Sequence, residues 1–309
     1  MNRYYPEGML IKRLENQEYI GTQKGLEKAL ERQVILEAPV VLCDHNFNLH
    51  VALGEKIRGI IPRCEVEYCR GEIKDIAILT RVGKCVSFIV QGFKKEPSGE
   101  IVAILSRRRA QKECNDNYIS ALSAGDIIQS KVTHIENFGA FVDIGCGIIS
   151  LLSIDSISVS RITHPAERLS VGDNIYCVIK SIDESGRIYV SQKELLGTWM
   201  ENASLFSEGE TVKGTVRSIE SYGIFVELKP NLAGLAEYKE GVGVGQSAAV
   251  YIKSIIPDKM KIKLIIIDSH DTHGAKEPPE YFITPDLTTH IDKWTYSPTS
   301  CKRIVESIF

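Results

Sequence analysis

The chain has 309 residues, 43% of them hydrophobic and 25% charged, a composition that excludes wholesale disorder and leaves room for two or three domains. No run approaches the roughly 20 apolar residues of a membrane span, and the first residues lack the basic flank and apolar core of a secretory signal, so the expected location is cytoplasmic, with no membrane partner. With a formal net charge of −3, bulk electrostatics alone would not hold a polyanion.

The first 32 residues are expected to be a helical segment, because Leu26, Ala29 and Leu30 give an amphipathic helix at its end. Beyond it the chain repeats itself. Gly125, Val132, Phe138, Gly139, Phe141, Val142 and Leu151 recur 84 positions later as Gly209, Val216, Tyr222, Gly223, Phe225, Val226 and Leu235. The later halves match at an offset of 73, from Gly172 to Ile182 against Gly245 to Ile255, so the last copy has lost 11 residues from the connection between its halves. A fainter copy lies upstream, with Ile35, Val40, Phe47, Val51, Gly54 and Ile60 answering Ile127, Val132, Phe138, Val142, Gly145 and Leu151. A period this long makes each copy a small domain rather than a solenoid unit. The expected boundaries are 1–32, 33–113, 125–195, 209–267 and a tail over 268–309.

Within the middle copy, 127–135, 140–144, 148–154, 174–182 and 187–191 are short, β-branched and punctuated by glycine, the signature of strands. Five strands in about 70 residues suit an oligonucleotide-binding (OB) barrel, with 154–169 as the crossing segment. The segments 106–124 and 192–207 read as short helices or linkers. The fold class expected is therefore all-β: tandem five-stranded OB-fold barrels, three repeats with the first divergent, joined by short helical linkers. From Asp268 the texture turns to Thr, Pro, His and Asp, a poor core former whose Trp294, Tyr296, Ile304, Val305, Ile308 and Phe309 could dock on a neighbour.

Strand alternation assigns faces. Val142 and Ile144 must face the core, which puts Phe141 and Asp143 outward; Phe225 with Glu227 and, in the first copy, His50 repeat the pattern. Gly139 would permit a bulge that brings Phe138 onto the face of Phe141. Tyr222 with Phe225, and Phe47 with His50, are the counterparts. Exposed rings of this kind stack on bases at about 1–3 kcal/mol each without positive charge. That matters because 125–195 holds 6 Lys+Arg against 9 Asp+Glu, whereas 33–113 holds 13 against 10 and 209–267 holds 8 against 6. The competing reading is that the crossing segment or a neighbouring barrel covers the rings.

The run Phe138, Gly139, Ala140, Phe141, Val142, together with Asp183, Gly186, Arg187, Ile188 and Ser191, closely resembles the S1 RNA-binding domain, and the arrangement of copies resembles a short bacterial protein of the ribosomal S1 family. The resemblance implies single-stranded RNA binding by two aromatics, a histidine, an acid and a base. Carried over, these fall on Phe138, Phe141, Asp183 and Arg187, while the histidine's place holds Ser153 or a near neighbour. In the third copy they fall on Tyr222, Phe225 and Lys261, with Glu237 about where the histidine would be and Asp258 replacing the acid, so that copy is expected to bind more weakly. In the first they fall on Phe47 and His50, and Arg107, Arg108 and Arg109 could contact phosphate or begin a solvated helix. The partners implied are single-stranded RNA, mRNA in particular, and the small ribosomal subunit.

No enzyme is expected, and no cofactor or metal. Gly241, Gly243 and Gly245 lack the spacing and helix of a dinucleotide fingerprint, and no Gly-x-Ser-x-Gly elbow exists. Neither end is long enough for a separate catalytic domain. His270 and His273 sit in a polar tail, and the eight cysteines include no Cys-x-x-Cys pair, so reduced, mostly buried thiols are expected. Two alternatives to a ribosome-associated mRNA binder stay open: an RNA-binding regulator or chaperone acting off the ribosome, and a protein-interaction scaffold.

Overall fold

A computed structural model describes residues 4–54, 57–69, 71–97, 99–271 and 278–309; His273 lies outside them. Two helices come first, α1 (Leu14–Ile20) and α2 (Gln23–Arg32). The Thr22 hydroxyl caps α2 by accepting from Gly25 N, and Leu26 and Ala29 are buried, as the apolar spacing requires. Ahead of Leu14 the segment is an irregular strap, not helix, which corrects the helical reading for residues 4–13.

Three closed barrels come after the helices. The first is built from β1 (Leu36–Cys43), β2 (Leu49–Leu53), β3 (Ile57–Ile61), β4 (Cys85–Lys95) and β5 (Ile101–Ser106), with α3 (Asp75–Leu79) in its crossing segment and α4 (Arg107–Asn117) after it. The second comprises β6 (Ile127–Glu136), β7 (Gly139–Asp143), β8 (Ile149–Ser153), β9 (Asn174–Ile182) and β10 (Ile188–Ser191), and leads into α5 (Trp199–Ala203). The third comprises β11 (Thr211–Glu220), β12 (Gly223–Lys229), β13 (Leu232–Ala236), β14 (Ser247–Ile256) and β15 (Lys261–His270). Each closes in the order first, second, third, fifth, fourth, with the third and fifth strands parallel. The all-β architecture of tandem five-stranded barrels with short helical connections is the one observed. The last strand of the third barrel runs three residues past 267.

By packing, the chain divides into one unit of residues 1–122, 129–131 and 143–149 and another of 123–128, 132–142 and 150–309. Alternation makes the cores: Leu36, Val40, Val51, Leu53 and Leu105 are buried in the first unit, and Val216, Val226, Val250, Ile252 and Leu264 in the second.

Polar clusters hold each unit beyond its apolar core. In the first, the strap puts Glu7 against Arg107, whose Nε donates to Glu7 Oε1 at 2.6 Å, with both side chains buried. Arg107 is thus a structural residue, not a solvated helix start. Glu37 Oε2 accepts the backbone N–H groups of Gly8, Leu10 and Ile11 at 2.8–3.1 Å. In the second, Arg168 and Arg217 both bind Glu227, and Arg217 also binds Glu167. Asn231 is fully buried there and donates to the carbonyls of Lys193 and Gly197 at 2.7 and 2.8 Å.

Trp294 and Tyr296 of the tail are buried in the same cluster as Trp199 and Val216. Trp294 lies on β16 (Lys293–Thr295), which pairs with β17 (Glu306–Ile308). Val305 and Phe309 also pack, whereas Ile304 and Ile308 stay exposed. All eight cysteines are free thiols, and only Cys114, Cys146 and Cys177 are buried, so the expectation of mostly buried thiols does not hold.

Candidate nucleic-acid interface

In the second barrel the turn between β6 and β7 is only two residues long, Asn137 and Phe138. Phe138 therefore precedes the strand, where the two-residue alternation no longer governs its direction, and its side is set by the turn. No bulge at Gly139 is needed to bring the rings together. What Gly139 provides is room: a Cβ there would stand 2.5 Å from the carbonyl oxygen of Leu152 on β8. Gly223 meets the same condition, 2.5 Å from the carbonyl oxygen of Ala236. An aromatic, a glycine and an aromatic three positions on are thus one geometric unit.

That unit is built alike in both barrels. Phe138 lies edge-on to Phe141 with centroids 6.1 Å apart and planes at 89°, and Tyr222 meets Phe225 at 6.1 Å and 88°. The leading rings are open to solvent, Phe138 at 55% and Tyr222 at 67% relative exposure; Phe141 and Phe225 are half-buried. The crossing segment 154–169 begins beside Phe138, where Ile154 N donates to the Phe138 carbonyl at 2.9 Å. It turns toward the β12–β13 hairpin, where Val159 N donates to Asn231 Oδ1 at 2.9 Å and Ser160 N to the Pro230 carbonyl at 3.1 Å.

One residue that the sequence reading did not single out joins the rings. His134 on β6 stacks on Phe141, 6.2 Å between centroids and 22° between planes, so an imidazole reaches this face from a different strand than the resemblance implies. The signal was available: counting back across a two-residue turn pairs residue 134 with residue 141, as Ser218 pairs with Phe225 in the third barrel. Tyr189, also not singled out, is the register partner of Leu151 on β8.

The acid and base divide. Asp183 Oδ1 accepts from Ser185 N at 2.9 Å, Ser185 Oγ at 2.6 Å and Arg187 N at 2.9 Å, and Oδ2 accepts from the Tyr189 hydroxyl at 3.4 Å. The Ser185 hydroxyl and the Arg187 amide hold this carboxyl below the usual carboxylate range. Asp183 thus holds the β9–β10 turn together, and the Arg187 side chain projects from that turn into solvent.

In the third barrel Phe225 pairs with Leu235, and Leu235 with Lys263. Lys263 is therefore the lysine in line with the ring, and Lys261 lies two residues along on the same exposed face. The first barrel differs. Phe47 adopts a left-handed conformation with φ 61° and packs against the core, with the Arg63 guanidinium 4.8 Å over its ring. His50 is half-buried, its Nε2 3.3 Å from Asp44 Oδ2. Neither ring of the first copy is free.

The outward acids are not on a solvent face. Asp143 is 1% exposed and Glu227 6%. Asp143 accepts from the backbone N–H groups of Glu7, Gly145 and Gly147 at 2.7–3.0 Å, and Glu227 is taken by the two arginines. Alternation assigns their direction correctly but not what lies over them. Burial raises Asp143 to about 7, and the Glu7 carboxylate adds to the rise.

Among the described residues no group of three or more His, Cys, Asp or Glu could hold a metal ion, and no helix is long and apolar enough to cross a membrane.

Residues 122–193 match the family model of the S1 RNA binding domain. The chain is 30% identical over 281 residues to the small ribosomal subunit protein bS1 of Staphylococcus epidermidis, covering 85% of this chain and 67% of that one. It is 37% identical over 143 residues to bS1 of Staphylococcus saprophyticus, covering 44% and 36%. Among solved structures, a multidomain protein with nucleic acid binding domains from Streptococcus pneumoniae aligns over 78% of this chain and 75% of that one, at 14% identity and a TM-score of 0.25. With three barrels of one design, a matched S1 domain and a relative aligned along most of its length, the chain belongs to the bS1 family of S1-domain proteins.

Proposed function

We propose that the protein binds single-stranded RNA, mRNA in particular, and works in translation at the small ribosomal subunit, in the cytoplasm and without catalysing a reaction. The observation that carries the reading is the pair of matched edge-to-face rings, Phe138 with Phe141 and Tyr222 with Phe225, each led by an exposed ring. Bases of any sequence present a π-face to such rings, so the preference is for unpaired over paired RNA more than for one sequence. Phe138, Phe141, Asp183, Arg187, Tyr222, Phe225 and Lys261 form the proposed interface, with His134, Tyr189 and Lys263 added. Asp183 acts through the turn and Tyr189. Phe47 and His50 are engaged within the first barrel, and the proposal gives them no direct RNA contact.

Two linked barrels convert the second contact into an intramolecular event and raise avidity without new chemistry. Co-sedimentation of the tagged protein with small ribosomal subunits in lysate tests the assignment to translation. The expected result is a peak with the small subunit. Protein confined to the top of the gradient would leave RNA binding in place but overturn the ribosomal assignment.

A further inference from the structure

The fourth strand of every barrel carries one extra residue where it passes the fifth, and a single side chain sits at that bulge: Gln91 in the first, Lys180 in the second and Lys253 in the third. In the first two barrels it is tied to the segment that leaves the third strand. Gln91 Nε2 donates to Glu65 Oε2 at 3.1 Å. Lys180 Nζ donates to Ser156 Oγ at 2.9 Å and stands 3.9 Å from Asp155.

The third barrel has lost that tether. Its connection is 11 residues shorter, and the position 84 residues after Asp155 is Lys239. The Lys239 ammonium donates instead to the backbone carbonyls of Ile266 and Ile267, at 3.2 and 2.5 Å. Among the described residues, no hydrogen bond or ion pair engages the ammonium of Lys253, Lys259, Lys261 or Lys263. All four are exposed on one hairpin. From 253 to 263 that hairpin holds four lysines against Asp258, whereas the second barrel's, from 180 to 190, balances Lys180 and Arg187 with Asp183 and Glu184.

Register ties this charge to the barrel that carries the ring pair, two and three strands across from Phe225. Phe225, Leu235, Lys263 and Ser254 are successive partners across four strands, and Lys253 is the neighbour of Ser254. Like charges crowded on one hairpin repel one another and gain from an anion laid along them. The anion matched to a row of ammonium groups on a barrel that also carries a base-stacking ring is a phosphodiester backbone.

We propose that Lys253, Lys259, Lys261 and Lys263 form a phosphate-contacting arm, so that the third barrel grips RNA mainly through charge and the second mainly through stacking. The inference rests on the RNA-binding reading above and divides the labour within it. It also shifts weight toward the third barrel, where motif matching alone leads one to expect the weaker site.

The test is binding of the full chain to a fluorescein-labelled oligouridylate, measured by anisotropy across a salt series. Each phosphate neutralised on a single strand contributes about 0.7 to the slope of log affinity against log salt. A Lys253→Gln, Lys263→Gln double variant should therefore flatten the slope by about 1.4 relative to wild type. Lys180→Gln, at the tethered bulge of the second barrel, should leave the slope unchanged. Wild-type binding with a slope that the double variant does not alter overturns the lysine arm and leaves the RNA reading standing. Absence of wild-type binding removes both.

Discussion

The imidazole of His134 lies nearly parallel to the ring of Phe141, 22° between planes and 6.2 Å between centroids. Phe138 meets the same ring edge-on. Ser153 or a near neighbour holds the place where the family resemblance puts a histidine, and His134 restores an aromatic heterocycle to this face from the neighbouring strand. His134→Ala is expected to weaken single-stranded RNA binding by about five- to tenfold, within the range for one stacking group. His134→Phe should recover most of the loss. Equal affinities for wild type and His134→Ala, measured by anisotropy at matched salt, would assign the imidazole to the protein's own packing.

Glu227 holds two arginines together. Removing its charge leaves Arg168 and Arg217 largely buried with reduced compensation, and breaking a buried pair from one side destabilises by about 3–5 kcal/mol. Because Arg217 keeps Glu167, Glu227→Gln is expected at the lower end of that range. Urea unfolding monitored by a probe in residues 150–309 should show the midpoint falling, while the ring pair made by Phe225 of the same strand and Tyr222 of the turn before it loses RNA affinity with it. An unchanged midpoint would mean that the arginines find other partners.

Burial raises the Glu37 carboxyl to about 7, against the pull of the backbone N–H groups that it accepts, and Asp143 is raised to about 7 as well. A group with a raised folded-state pKa binds its proton in the folded chain while the unfolded chain has released it. Stability therefore falls as pH rises from about 4.5 toward 7 and stays lower above that. Lowering the pH from 8 to 6 should raise the melting temperature of the unit containing residues 4–122, and Glu37→Gln should flatten that dependence. Glu7 shifts the other way: burial raises it, but Arg107, Arg81 and the Ser87 N–H together hold it below the usual carboxylate range, and its contribution is lost only in more acidic solution, outside this window. A melting temperature that falls between pH 8 and 6 would contradict the account.

Much of the fold was legible because it is local. The five strands of the second barrel, its linkers and the inward Val142 and Val226 are set by spacing within a few residues. The glycine between the rings was legible as a requirement but not for its reason, which is a carbonyl on the next strand. The interface was harder wherever a partner is distant in sequence. Asp143 reads as a surface acid until Glu7, 136 residues away, donates to it, and Glu227 until Arg168, 59 residues away, binds it. Such contacts leave no periodic trace. They also bear on dissection: cutting out residues 125–195 would strip Asp143 of the Glu7 amide, so weak binding by that fragment would mix lost avidity with lost structure.

The central claim is that exposed rings on the second and third barrels contribute stacking contacts to RNA, joined on the third by the charge of its lysines. Its most direct test is the affinity of the full chain for an unstructured single-stranded RNA when Phe138→Ala and Tyr222→Ala are combined, since both rings are exposed and their removal should leave the cores intact. With about 1–3 kcal/mol per stacked base, the double variant should bind at least about tenfold more weakly while its unfolding midpoint is unchanged. Wild-type affinity in a folded double variant would contradict the account.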